Sequence, residues 1–224
     1  LNTETLYRDA QVAKPNVEIP PEVAWLYRYR AEPWSFLTEC VWTQDQTDKR
    51  NPIKQYPNRD YLRIVAEKMV NEYLLAIVKH RRMVITWTAC GLSLWESMLF
   101  EGRNVTLMSK KEEDSDALVK QTKFIYDHIP RERMPFKPRM HYKFTEFLNL
   151  DLDSKIKGFA QGPDQIRQHT MSSIYADEFA FWDKAEETFV GMKPTLEGGG
   201  KVCLISTRFP GFFQHVIDDT IDER

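Results

Sequence analysis

The chain has 224 residues, 42% of them hydrophobic and 29% charged, with a formal net charge of −2. That length suits one large α/β domain with a substantial core, and the near-neutral balance excludes nucleic-acid binding by bulk charge alone, although Arg81-Arg82 and the stretch from Arg131 to Arg139 supply local basic surface. No apolar run approaches the length of a bilayer crossing, and Cys40, Cys90 and Cys203 are odd in number and without metal-ligand spacing, which argues against a disulfide framework or zinc site and for a reducing, cytosolic setting.

Residues 1–20 are polar with scattered prolines and read as an arm. Pro20-Pro21 opens two helices, one carrying Val23, Leu26, Tyr27 and Tyr29, the next Trp34, Phe36 and Leu37. Thr43 to Arg59 is polar, broken by Asn51-Pro52 and Tyr56-Pro57, and reads as a loop. Tyr61, Leu62, Ile64, Val65, Met69 and Val70 then fall at near-helical spacing up to Asn71. Tyr73 to Val78 is an unbroken apolar run, the pattern of a strand covered on both faces in a mostly parallel sheet.

A basic segment, Lys79 to Trp87, follows at once, and Gly91, Leu92, Leu94, Trp95, Met98 and Leu99 predict a buried helix after it. Strand, basic loop and helix is the order of a phosphate-binding loop: a helix N-terminus presents unpaired N–H groups and a favourable dipole to an anion, and cationic side chains neutralise what remains. Lys79, Arg81 and Arg82 supply that charge, and the Thr86 hydroxyl stands where a magnesium ligand is wanted. The loop lacks the usual glycines, and Ile85 stands at the usual lysine position.

Asn104 to Met108 predicts a second strand, Asp114 to His128 a crossover helix, and His141–Leu150 with Lys155–Ala160 a hairpin turning at Asp151 to Ser154. The five histidines share no spacing that would ligate a metal. Met171 to Ala176 reads as a strand at least partly inside a sheet, and it ends on Asp177-Glu178. Carboxylates are costly to bury without a cationic partner, so this pair implies one: a magnesium ion on Asp177, with Glu178 left to orient and deprotonate a water, is the arrangement that nucleoside triphosphate hydrolysis needs.

Lys79 to Trp87 resembles the deviant Walker A of the large terminase subunits of tailed bacteriophages, in which the lysine opens the loop. Three further stretches resemble the same family in the same order over roughly Ala31 to Gly211: Gly162 to Arg167, like the segment whose arginine acts in trans on a neighbouring subunit's nucleotide; Ile174 to Phe181, like Walker B with its catalytic glutamate; and Val202 to Thr207, like the coupling motif. Asn51 to Pro57 occupies the place of the adenine-binding segment, with Gln55 and Tyr56 its candidate contacts.

The resemblance implies an α/β P-loop NTPase of the additional-strand, RecA-like type, with a mostly parallel central sheet flanked by helices. It implies an ATP-hydrolysing DNA-packaging motor working with Mg2+ in the host cell cytoplasm as a homo-oligomeric ring, with double-stranded DNA, the portal or procapsid and the small terminase subunit as partners. By the same resemblance, Lys79, His80, Arg81, Arg82, Met83, Val84, Ile85, Thr86 and Trp87 form the nucleotide loop, Thr86 and Asp177 hold the metal, and Glu178, Arg81 and the trans-acting Arg167 are catalytic. Ser206 and Thr207 would then sense the γ-phosphate. The expected division is an arm at 1–20, an ATPase domain at 21–211, and a linker from 212–224 with Asp218, Asp219, Asp222 and Glu223, leaving no nuclease domain in this chain. Two alternatives stay open: a P-loop-like module that binds nucleotide without hydrolysing it, favoured by the missing glycines, and a helicase-like ATPase outside packaging.

Overall fold

A computed structural model describes residues 20–167 and 169–218. The expected arm, Pro20 apart, and the acidic residues after Asp218 lie outside the described residues, as does the side chain of Arg167. After a 3-10 turn at Pro21–Val23 come α1 (Ala24–Ala31) and α2 (Pro33–Cys40), as the sequence predicts. Pro33 opens α2 in its first turn, where a missing N–H leaves no helical bond unmade. The stretch expected to be a loop instead carries a short antiparallel pair, β1 (Trp42–Gln44) and β2 (Ile53–Gln55), with Pro52 and Pro57 flanking β2 where no ladder donor is required.

The rest is a layered α/β unit: α3 (Asp60–Asn71), β3 (Leu74–Val78), α4 (Ile85–Leu99), β4 (Asn104–Ser109), α5 (Glu112–His128), β5 (Met140–Lys143), β6 (Glu146–Asn149), β7 (Ser154–Ala160), α6 (Pro163–Arg167), β8 (Ser173–Asp177), α7 (Ala185–Glu197), β9 (Lys201–Ser206) and α8 (Phe212–Ile217). Among the described residues the main sheet has seven strands in the order β3-β9-β8-β4-β7-β6-β5, parallel from β3 to β7 and antiparallel beyond. β9 is inserted between β3 and β8, so an additional strand separates the strand of the basic loop from the strand of the acidic pair, as the fold expectation requires.

Three local expectations are corrected. Among the described residues β3 is an edge strand, whose end residues Leu74 and Val78 are 43% and 46% exposed; Leu75 to Ile77 pack against the two core layers. An apolar run encodes a strand but not its number of neighbours. His141 to Leu150 is not one strand but a hairpin, β5 and β6, reversed at Thr145, which takes a left-handed φ of 57°; the hairpin expected at 151–153 joins β6 to β7. The segment 212–217, placed in the linker, forms α8, and its Phe213 is buried against Phe179 at a ring separation of 6.0 Å.

The sheet divides two cores. On one face Val105, Leu107, Tyr175, Cys203 and Ile205 join a large cluster with α1 to α5; on the other Met108, Ile174, Ala176, Val202 and Leu204 join a smaller one with α7 and α8. The alternation is the two-residue period of a strand buried on both sides. α5 lies against β7 because Gly158 leaves room: a Cβ there would sit 3.0 Å from the Ser115 carbonyl oxygen.

Candidate functional site

β8 is buried along its whole length, and its alternation puts Ser173, Tyr175 and Asp177 on the face covered by α4. At the near end of the strand the Ser173 hydroxyl donates to Glu96 Oε2 at 2.7 Å; at the far end the Thr86 hydroxyl donates to Asp177 Oδ2 at 2.9 Å. Helix and strand therefore run antiparallel in register. Ten helical residues rise about 15 Å and four strand residues about 13 Å, so one anchoring at each end fits both spacings. This fixes the first turn of α4 beside the acidic pair, although Lys79 and Asp177 are 98 positions apart in sequence.

The loop between β3 and α4 adopts its turn without a glycine. Arg82 and Val84 take φ of 67° and 63°, and Val84 caps α4 from the left-handed region. Such a conformation costs an L-residue roughly 1–2 kcal/mol, so something must hold it. Lys79 N donates to the Ser206 carbonyl at 2.8 Å and His80 N to Met83 Sδ at 3.2 Å. The Tyr61 hydroxyl donates to the Met83 carbonyl at 3.3 Å, and Thr88 donates to the Val84 carbonyl through N at 3.0 Å and Oγ1 at 3.1 Å.

The loop walls a cleft of about 300 Å³ lined by Lys79 to Trp87, Gln121, Glu178 and Thr207. His80, Arg81 and Arg82 are exposed around it, and the first N–H groups of α4 open into it; both favour a polyanion. Every loop residue singled out in the sequence is therefore at the cleft, but not by its side chain in each case: Ile85 is 2% exposed and packs in the core, so it offers only its backbone.

Behind the cleft Lys79 Nζ lies 2.8 Å from Asp177 Oδ1, 2.9 Å from Thr86 Oγ1 and 3.4 Å from Glu178 Oε1. Glu178 itself has φ of 52°, and its N–H returns to Asp177 Oδ1 at 3.0 Å. Trp182 Nε1 donates to the Asp177 carbonyl at 3.1 Å and packs on Phe179, fixing the turn after the strand. Asp177 is 9% exposed, whereas the Glu178 side chain is nearly half exposed and reaches the cleft.

Ser206 and Thr207 part company. Thr207 lines the cleft, but Ser206 is fully buried, and its hydroxyl accepts from Ala180 N at 3.1 Å on the other side of β9. Strand alternation alone puts consecutive residues on opposite faces, so only one of the two hydroxyls can face phosphate. Gln55 and Tyr56 are not at the cleft. Gln55 Nε2 donates to the Thr38 carbonyl at 2.7 Å, and Tyr56 is 3% exposed, with Trp34 edge-on at 6.0 Å and its hydroxyl 2.6 Å from Thr88 Oγ1. Burial leaves the Tyr56 ring no free face for a base and pushes its phenol pKa up. Arg167 ends α6, and its side chain lies outside the described residues.

Gln121 is the cleft residue that sequence reading missed. It comes from the crossover helix α5, close enough to accept from Cys90 Sγ at 3.6 Å, and no motif marks it. Among the described residues no three His, Cys, Asp or Glu side chains gather as a metal cage. The donors present are a carboxylate and a hydroxyl in hydrogen-bond contact, both hard oxygens, which fits magnesium: that ion keeps several waters and takes one or two protein ligands plus phosphate.

The sequence matches no protein-family model. In fold, the chain is similar to the HK97 bacteriophage large terminase, at a TM-score of 0.63 and 11% identity over 85% of this chain and 40% of that one. It is similar to a mutant of the Thermus phage P74-26 large terminase ATPase domain at 0.55 and 12%, over 70% and 68%. A large terminase from a thermophilic bacteriophage gives 0.56 and 12%, over 75% and 44%. The chain has the α/β fold of phage large terminase ATPase domains, and it spans less than half the length of the two large terminases not restricted to that domain.

Proposed function

From this shared fold, we propose that the chain is the ATP-hydrolysing motor domain of a viral large terminase, driving double-stranded DNA into a procapsid in the host cytoplasm. The observation that carries the reading is the meeting of the Thr86 hydroxyl and the Asp177 carboxylate at 2.9 Å, behind a basic cleft that faces a helix N-terminus and is lined by Glu178.

Lys79, Arg81, Arg82 and the first N–H groups of α4 hold the β- and γ-phosphates. Thr86 and Asp177 hold Mg2+, which when bound neutralises charge on the phosphate oxygens. Glu178, the exposed member of the acidic pair, orients the attacking water and takes its proton. Thr207 reads the γ-phosphate, and Ser206 carries that state through Ala180 N to the segment after the acidic pair. Arg167 acts in trans on the next subunit of a ring; an arginine so placed is worth on the order of 10³ to 10⁵ in rate, so the isolated domain turns over slowly. The small terminase subunit and the portal complete the machine.

The test is magnesium-dependent ATP turnover by the purified protein, alone and with small subunit or procapsids, beside Glu178→Ala and Lys79→Ala. Both substitutions should abolish turnover; turnover that survives both sinks the reading. A non-hydrolysing nucleotide module is the second reading, favoured by the absence of glycine from the loop between Lys79 and Trp87. It predicts nucleotide binding with turnover no higher in wild type than in Glu178→Ala. For the trans arginine, mixing Arg167→Ala with Glu178→Ala protein should restore part of the activity in an assembled ring; no restoration at any ratio argues against it.

A further inference from the structure

The Lys79 ammonium sits among the very oxygens assigned to the metal. It is within 3.4 Å of Asp177 Oδ1, Thr86 Oγ1 and Glu178 Oε1, and the residue is only 8% exposed. An ammonium has three donors, and this one has three oxygen neighbours. Asp177 Oδ2 is taken by the Thr86 hydroxyl and Oδ1 also by Glu178 N, so the carboxylate has no oxygen left unengaged. We propose that Lys79 is an internal cation filling the divalent-metal site of the nucleotide-free protein, so that lysine and metal exclude one another and the ion enters together with nucleotide. The proposal rests on reading Asp177 and Thr86 as metal ligands.

Without nucleotide, a magnesium ion gains only one carboxylate and one hydroxyl from the protein, against the cost of shedding water. To take even those it must displace an ammonium already paired with them, whose charge repels it. Nucleotide changes both terms: its phosphates add ligands for the ion and give the displaced ammonium a new anion in the cleft that Lys79 already borders. The exchange is a side-chain movement, because Lys79 N remains bonded to the Ser206 carbonyl at the end of β9. It also gives a reason for the lysine to open the loop: from position 85 a side chain enters the core, whereas from the end of β3 it reaches the acidic pair.

The experiment is Mn2+ binding followed by electron paramagnetic resonance, without nucleotide, for wild type, Lys79→Met and Lys79→Gln, with Tm measured in chelator and in excess Mn2+. Wild type should bind Mn2+ weakly and gain tight binding when ADP is added. Each variant should bind Mn2+ at least about tenfold more tightly without nucleotide, because the competing charge is gone, and its Tm should rise with Mn2+ while that of wild type stays flat. Tight Mn2+ binding by nucleotide-free wild type overturns the proposal, and this arm stands even if both variants fail to fold. Folded variants that bind Mn2+ no better than wild type overturn it as well. Wild-type ATP turnover is scored separately: turnover without a gain of Mn2+ binding in the variants removes the lysine plug alone, and a gain of binding without turnover removes the hydrolysis reading alone.

Discussion

Tyr56 and Thr88 make a case in which structure and motif-based expectation predict opposite results. The Thr88 hydroxyl has one proton, and it is committed to the Val84 carbonyl at 3.1 Å, so in the 2.6 Å contact between the two hydroxyls Tyr56 is the donor. Tyr56→Phe removes that donor but leaves the Thr88 proton satisfied, a loss of about 0.5–1.5 kcal/mol. Thr88→Val strands the buried Tyr56 O–H, at about 1–3 kcal/mol, and takes one of two bonds from the carbonyl of the strained Val84, whose other partner, Thr88 N at 3.0 Å, remains. The double variant should cost less than the sum, with a coupling of about 1 kcal/mol. In a domain of this size each kcal/mol moves Tm by roughly 2–4 °C, so urea or thermal melts resolve the cycle. Nucleotide affinity should fall in Thr88→Val and change little in Tyr56→Phe. If Thr88→Val is no more damaging than Tyr56→Phe, the proton assignment is wrong. If Tyr56→Leu weakens nucleotide binding far more than it lowers stability, the ring is a base contact after all.

Three further outcomes are expected. Glu178→Gln should lose ATP turnover while keeping its Tm within about 1 °C of wild type, because the side chain is nearly half exposed; a large drop in Tm would make the residue structural. At the opposite end of β8, Glu96 is 4% exposed and lies 3.0 Å from Arg103 Nε without the angle of a hydrogen bond, a pair held by charge. Arg103→Ala, which strands the buried carboxylate, should therefore cost more, about 3 kcal/mol, than Glu96→Gln, and denaturant melts that reverse the order would refute this. Burial pushes the Cys40 and Cys90 thiols up to about 12 and that of Cys203 up as well. A folded pKa above the ordinary 9.0 means stability that is full below about pH 8.5 and is lost as pH climbs toward 12, on the order of 1.5 kcal/mol per thiol at pH 10. Tm should fall between pH 8 and 10, and a disulfide reagent at pH 8 should label the thiols only as the protein unfolds; fast labelling of the native protein contradicts the burial.

Much of the architecture was legible because apolar runs and helical spacing are local signals. The strands ending at Val78, Asp177 and Ser206 fall where pattern puts them, and the helix expected after Trp87 is present but begins two residues earlier, at Ile85. What local pattern lacks is the number of neighbours, hence the exposed edge at β3, and the turns inside a polar stretch, hence β1, β2 and the reversal at Thr145. Within the site, Asp177 announced itself because burying a carboxylate demands a partner; Glu178, nearly half exposed, was legible only as its neighbour. The division of Ser206 from Thr207 was available in principle from alternation. Gln121 was not, since a lone glutamine on a crossover helix carries no chemical signature.

The glycine-free loop shows why its motif was faint in sequence and plain in space. Two left-handed residues cost roughly 2–4 kcal/mol together, and the chain between Lys79 and Ile85 has no intrinsic preference that would offset them. The offset comes from elsewhere: Tyr61 from α3, Thr88 from the second turn of α4 and Ser206 from β9 each bond to the loop backbone. At about 1 kcal/mol per bond these are of the same order as the strain. The anion-binding shape is thus a property of the enclosing fold rather than of the loop. A residue that relieves the strain in place, Arg82→Gly, should then raise stability, since the exposed arginine sacrifices no packing and the glycine's extra unfolded-state entropy, roughly 0.5–1 kcal/mol, is smaller than the strain removed. A fall in Tm for Arg82→Gly would mean that the left-handed turn is not strained and that the surrounding bonds are not what holds it.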